Sequence, residues 1–235
     1  MAGKVSAFAQ FKILLGKDLR HEMRTHEMLT SMGLYAVLVL IIFGVAFAQL
    51  GKAVDVAHLS GGLVWVLIVF TSLLGLGRSF SYEKEASCIE GILLVPMDRS
   101  VIYLSKLVSN LIFLSAVEVI ALPLFYFFFM TSVAPAPSFP CSIAPIVLGS
   151  IGISAVGTLL SSITVNARSK DVLLAVLFIP VVFPLLYACV ASTTAALVGA
   201  EAWVETFRTG VLLAGAYDIV MTLASWVLCD FVISA

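Results

Sequence analysis

The sequence predicts an all-α, polytopic membrane protein with six transmembrane helices. Three observations carry that prediction. Of 235 residues, 61% are apolar and only 13 are basic and 14 acidic, too few to cover a water-soluble domain of ordinary composition. About six windows of roughly 20 mainly apolar residues can be placed, each long enough to cross the hydrocarbon core as a helix. The Lys and Arg residues, finally, gather in alternate connections. A net charge of -1 leaves no basic excess for a phosphate backbone, so nucleic acid is not an expected partner.

The windows fall at 29–49, 59–76, 107–129, 143–165, 172–192 and 211–231. They consume more than half the chain, which reads as one transmembrane domain over residues 1–235. Lys4, Lys12, Lys17, Arg20 and Arg24 precede the first span. Arg78, Lys84, Arg99 and Lys106 lie between the second and third, and Arg168 and Lys170 between the fourth and fifth. That places eleven of the 13 basic residues on one side, with only Lys52 and Arg208 opposite. By the positive-inside rule both termini face the cytoplasm, in a multi-pass protein of the cytoplasmic (inner) membrane. The segment before the first span has five basic and three acidic residues and no apolar core ending in a small-residue cleavage site. No signal peptide is visible, and the mature chain is expected to begin near Met1.

Within residues 1–28, Phe8, Phe11, Leu15 and Leu19 fall within about 80° of one another on a helical wheel, with Lys17, Arg20 and Arg24 opposite. This suits a helix lying in the cytoplasmic interface, its apolar face among acyl chains and its basic face toward anionic headgroups of the membrane lipid. The alternative is a cytosolic stub that only supplies charge. The connection 78–106 is the longest on that side, and its stretch 79–100 is the most informative. Ser81 can cap a helix, Glu83 and Glu85 fall in the first turn where the dipole favours acids, and Pro96 pushes Val95 out of the helical region. A helix of about three turns results, with Cys88, Ile89, Ile92 and Leu93 on one apolar face, too short to span and in need of a partner surface. On the opposite side, Ala134-Pro135-Ala136-Pro137 and Pro140 make an extended link. The link 191–205 contains Ala195, Ala196, Leu197 and Val198, apolar enough for a re-entrant or interfacial piece.

Candidate chemistry is sparse. His21-Glu22 and His26-Glu27 suggest a zinc motif, but a spacing of five leaves the imidazoles roughly 140° apart on a helix, unable to share a metal as an i, i+4 pair does. His58 stands alone on the external side, either a ligand for haem or metal or a plain loop residue. The cysteines Cys88, Cys141, Cys189 and Cys229 form no C-x-x-C; Cys141 and Cys189 lie near the external face and either bridge or pack as thiols. Inside the spans, Glu118 and Asp218 are the costly groups, with Asp230 near the cytoplasmic end of the last. Glu118 and Asp218 face a shared interior, pair through water or stay protonated, and a hydrogen-bonding role toward neighbouring helices stands beside a role in a pathway. Pro123, Pro145, Pro180 and Pro184 should bend their helices, while Gly157 with Ser161 and Gly210 with Ala214 allow close approach. No nucleophile elbow, H-E-x-x-H or phosphate-binding loop occurs, which argues against an enzyme and requires any ATP-driven role to use a separate ATPase.

Six spans with an interfacial helix before the first and a capped helix between the second and third resemble the permeases of ABC-2 type exporters. The residues narrow the resemblance further. Gly62-Leu63-Val64-Trp65-Val66, then Leu74-Gly75-Leu76-Gly77-Arg78-Ser79-Phe80, Glu83, Glu85, Glu90-Gly91-Ile92-Leu93-Leu94, Pro96 and Ile102-Tyr103-Leu104-Ser105-Lys106 open the series. Gly157-Thr158-Leu159, Val165-Asn166-Ala167-Arg168-Ser169-Lys170-Asp171-Val172-Leu173-Leu174, Tyr217-Asp218-Ile219-Val220 and Asp230-Phe231-Val232 follow in order. Together they resemble the CcmB family, the haem exporter protein B of cytochrome c maturation, over nearly the whole chain. The resemblance implies a permease, itself no enzyme, working as a homodimer with two copies of a CcmA-type ATPase, near CcmC-, CcmD- and CcmE-type haem-handling proteins. It implies no covalently bound cofactor: haem is a handled ligand, and ATP acts only through the partner. The short helix would then be a coupling helix, with Glu83, Glu85, Ile89, Glu90, Ile92 and Leu93 contacting the ATPase and Arg168 and Lys170 as secondary contacts. Either haem export or release of the haem-loaded chaperone would be driven, and the spans hold no His, Met or Cys cluster resembling a haem path, which favours release. An ABC-2 permease for a lipid-linked or antibiotic substrate is the competing reading.

Overall fold

The computed structural model describes residues 6–50, 55–79, 99–130, 139–165, 167–199 and 203–232. Among them are seven α-helices and no strand: α1 (Ala7–Thr25), α2 (Glu27–Leu50), α3 (Val56–Ser79), α4 (Arg99–Phe129), α5 (Ile143–Thr164), α6 (Lys170–Val198) and α7 (Trp203–Val232). Helices α2 to α7 are all long and apolar enough to cross a membrane. The chain is an all-α, multi-pass membrane protein.

Local chemistry sets the ends of α1. Ser6 caps it, its hydroxyl oxygen accepting from the Ala9 amide at 3.3 Å. His26 ends it in the left-handed region (φ 53°), its amide bonded to the Glu22 carbonyl at 2.8 Å. Glu22 then turns its side chain across the elbow and accepts from the Leu29 amide at 2.8 Å, capping α2 from the preceding helix. His21 thus lies within α1, whereas His26 is the break itself, so the two histidines do not share one helix.

Three spans exceed their hydropathy windows by about two turns. Helix α4 starts at Arg99 because its first turns pack against protein: Val101 and Ile102 cluster with Phe11 and Leu14 of α1, and the Tyr103 hydroxyl donates to the Ala155 carbonyl at 3.1 Å. Helix α7 starts at Trp203, taking in Arg208. Helix α6 runs unbroken to Val198 and closes on Gly199 in the left-handed region (φ 64°). Ala195 to Val198 are thus the last turn of a span, with Ala196 and Leu197 buried against the bundle. The structure decides the open question of a re-entrant piece for Ala195 to Val198: these residues are apolar because they pack.

Helix α5 lies at the centre, touching α3, α4, α6 and α7, whereas among the described helices α2 packs only on α1, α3 and α4. Small residues let the neighbours close in, since lipid supplies no hydrophobic drive between helices. A Cβ at Gly149 would overlap the Trp65 ring, and one at Gly157 would overlap Leu76. Ser161 then donates to the Leu76 carbonyl at 2.8 Å, and Gly210 approaches the Ala188 carbonyl, with Ala214 buried one turn on. Both small-residue pairs work as expected. Pro123, Pro180 and Pro184 sit inside continuous helices. Pro145 does not: it is the third residue of α5, after the 3-10 turn Phe139–Ser142, where a missing N–H costs no helical bond, so the expected bend has no basis there. Val37, Leu38, Ile41, Ile42 and Val45 of α2 remain exposed and form a lipid-facing surface.

Candidate functional site

Up-and-down threading brings α1, the end of α3, the starts of α2, α4 and α6, and the end of α5 to one end of the bundle. Residues 80–98, with Glu83, Glu85, Ile89, Glu90, Ile92 and Leu93, lie outside the described residues, but both of their roots are described. The chain leaves at Ser79 and returns at Arg99, and α1 lies against the second root. Between α1, α2, α3 and α4 is a cavity of about 280 Å³. Its polar wall holds Lys17, Asp18, Glu22, Arg78 and Lys106, and Met28 and Phe113 close its apolar side.

A charged cluster lies on this wall. The Lys106 ammonium is 2.9 Å from Asp18 Oδ2, and the two side chains are only 7% and 11% exposed. Lys106 also donates to the Ser79 carbonyl at 3.3 Å, and Ser109, one turn along α4, donates to Asp18 at 3.3 Å. Lys17 adds a weaker contact to Asp18 at 3.5 Å. A buried carboxylate and ammonium are tolerated because each meets opposite charge and hydrogen-bonding partners.

The second connection joins the same end. Lys170 lines a small cleft with Gly77 and Asp171, and the Asp171 carboxylate lies against Gly77, where a Cβ would stand 3.0 Å from Oδ1. Arg168 projects exposed from the link between α5 and α6. The structure therefore brings the 165–170 link beside the end of α3, one turn from where residues 80–98 begin.

The two intramembrane carboxylates are not brought together. Glu118 of α4 accepts from Ser150 of α5 at 2.7 Å, and that hydroxyl also lies 2.8 Å from the Ile146 carbonyl. Asp218 of α7 is buried against Gly152, where a Cβ would overlap Oδ1. Neither of its oxygens has a hydrogen-bond partner among the described residues. Residues 150 and 152 differ by about 200° around the helix, so Glu118 and Asp218 stand on opposite flanks of α5. The expectation of a shared interior is corrected by this geometry. Asp230 falls among residues whose side chains are not described.

At the other end, Asp55 caps α3, its Oδ1 accepting from the Ala57 amide at 3.0 Å and its Oδ2 2.7 Å from His58 Nδ1. The hydrogen bond with His58 holds the Asp55 carboxyl below its ordinary range. His58 is thereby engaged as part of a helix cap. Cys141 and Cys189 are free thiols, so they pack rather than bridge, and the Cys189 thiol lies 3.6 Å from the Pro145 carbonyl, to which it donates. No group of three or more His, Cys, Asp or Glu poised for a metal occurs among the described residues.

Sequence reasoning missed Asp18, Glu22 and Lys106 as partners. The signal was present: Asp18 and Glu22 fall on the wheel beside Phe11 and Leu15, acids within an apolar stripe. The stripe faces α4 rather than lipid alone, which is why Leu14 and Phe11 pack there and Phe8 stays exposed.

The chain matches the family model described as CcmB protein over residues 9–234. Among curated proteins it is similar to Heme exporter protein B of Pseudomonas aeruginosa, 27% identical over 75% of this chain and 77% of that protein. The proteins of the same name from Rhodobacter capsulatus and Paracoccus denitrificans are 25% and 24% identical, each over 74% of this chain and 78% of theirs.

Proposed function

Since the chain belongs to the CcmB protein family, we propose that it is the membrane permease of a haem-exporting ABC system and couples ATP hydrolysis by a separate, CcmA-type ATPase to cytochrome c maturation. The ATP energy drives either haem export or release of the haem-loaded chaperone. The permease works as a homodimer in the inner membrane with both termini cytoplasmic, near CcmC-, CcmD- and CcmE-type proteins. One observation carries the coupling role: both roots of residues 80–98, the 165–170 link and α1 converge on one end of the bundle. That end also collects nine of the ten basic residues among the described residues, which supports a cytoplasmic position within reach of an ATPase. A short amphipathic helix there, with Ile89, Ile92 and Leu93 on its apolar side, Glu85 in its first turn among them and Glu83 and Glu90 outward, suits a groove in the ATPase and would pass its closure on as a rigid-body push. Arg168 and Lys170 supply flanking contacts. Haem is cargo in this reading, and the chain supplies no nucleotide site.

The test is purification in mild detergent from the native membrane, with co-purifying proteins identified by mass spectrometry and haem by absorbance. Recovery of a cassette ATPase with haem-handling subunits is the expected result. An ATPase without them transfers the reading to an ABC-2 exporter of another substrate, and its absence overturns the coupling role. In the same preparation, Glu83→Lys with Glu85→Lys should weaken ATPase retention and lower c-type cytochrome output while leaving the six spans folded. Normal retention and output would remove these residues from the contact.

A further inference from the structure

Residues 80–98 can transmit a push only if their roots are tied to what must move, and one side chain ties both. Lys106 arises in the second turn of α4, just after the returning root. Its ammonium reaches back to the Ser79 carbonyl at 3.3 Å, at the departing root, and sideways to Asp18 of α1 at 2.9 Å. Ser79 ends α3, where carbonyls lack helical partners and the dipole is negative, so a cation there serves as a cap. Lysine near a membrane surface ordinarily extends its charge to water. This one is 94% buried and turned inward, with the Ser109 hydroxyl 3.3 Å from the same Asp18 oxygen and 2.9 Å from the Ser105 carbonyl.

We propose that Lys106 is a positioning residue that locks α1, the end of α3 and the start of α4 into one mechanical unit, so that a displacement of residues 80–98 moves the interfacial helix with it. This rests on the reading that residues 80–98 meet the ATPase. Apolar packing of Phe11 and Leu14 on Val101 and Ile102 holds α1 to α4, and α3 packs on α4, but among the described residues α1 and α3 do not pack on each other, and the Lys106 ammonium, held between Asp18 and Ser79, makes that third connection.

Two measurements separate the lock from the coupling role. In the purified full chain in lipid nanodiscs, with Cys88, Cys141, Cys189 and Cys229 replaced, spin labels at the exposed positions Met23 and Leu74 report the distance between α1 and α3. The paired variant Lys106→Met with Asp18→Asn removes both charges without leaving either alone. It should broaden the distance distribution, Lys106→Arg should keep it narrow, and an unchanged distribution in the paired variant overturns the lock. No ATPase is needed, so this arm stands if the coupling role fails. In the intact complex, the paired variant should retain the ATPase but yield at least about fivefold less cytochrome per ATP hydrolysed, the low end of ordinary coupling energies. The exchanged pair Asp18→Lys with Lys106→Asp restores attraction between α1 and α4 but offers Ser79 no donor, so it should recover stability without recovering yield. Wild-type yield per ATP in either variant overturns transmission through Lys106.

Discussion

Glu118 and Asp218 are held in different ways at the side-chain scale. Glu118 has the Ser150 hydroxyl, whereas Asp218 has only close packing against Gly152. Ser150→Ala should therefore lower thermal stability in detergent by about 1 kcal/mol, in the range of hydrogen bonds between membrane helices, and the same substitution with Glu118→Leu already present should cost much less. Gly152→Ala should cost about 1–3 kcal/mol through overpacking, and Asp218→Ala should relieve part of it. An equal cost in both backgrounds would show that the clash is elsewhere. Trp65→Phe removes the outer edge of the indole, which fills the space at Gly149, as well as the Nε1 bond to Thr193 at 3.0 Å, so a loss of about 2–3 kcal/mol is expected from melting curves. Glu118 and Asp218 were legible in the sequence as charges inside apolar runs. Their partners were not, because a hydrogen bond between Glu118 and Ser150 spans 32 residues and depends on how α4 turns against α5.

At the scale of elements, α1 has a protein-facing side packed on α4. Its basic residues Arg20 and Arg24 are exposed, as the wheel predicted, but Asp18 and Glu22 point inward to Lys106 and the start of α2. Glu22→Ala should uncap α2, at a cost of about 0.5–2 kcal/mol, and hydrogen exchange at Leu29 should rise while exchange in α5 stays unchanged. Glu22→Gln, which keeps an oxygen acceptor, should restore most of the protection. Span existence and order could be read from hydropathy because each helix must satisfy its own backbone in lipid. The ends could not, since α4 and α6 continue for as long as neighbouring protein covers them, and the first two turns of α7 form a helix although most of their residues are exposed.

For the whole molecule, six spans with clustered basic loops predict that residues at the two ends occupy opposite sides of the membrane. Single cysteines introduced at Thr25 and Asp55, both exposed, in a background free of the four native cysteines should label from opposite sides with an impermeant maleimide: Asp55 in right-side-out vesicles, Thr25 only in inverted ones. Labelling from the same side would refute the topology. Composition, apolar run length and charge placement were enough to establish a polytopic α-helical protein with an even number of spans, because a bilayer imposes those constraints on each segment separately. Which helix is central, which flank of α5 each carboxylate meets, and that Lys106 joins Asp18 to Ser79 came from the packed structure. These are relations between residues as much as 88 positions apart, and the energy of such contacts exists only once the helices have settled against one another.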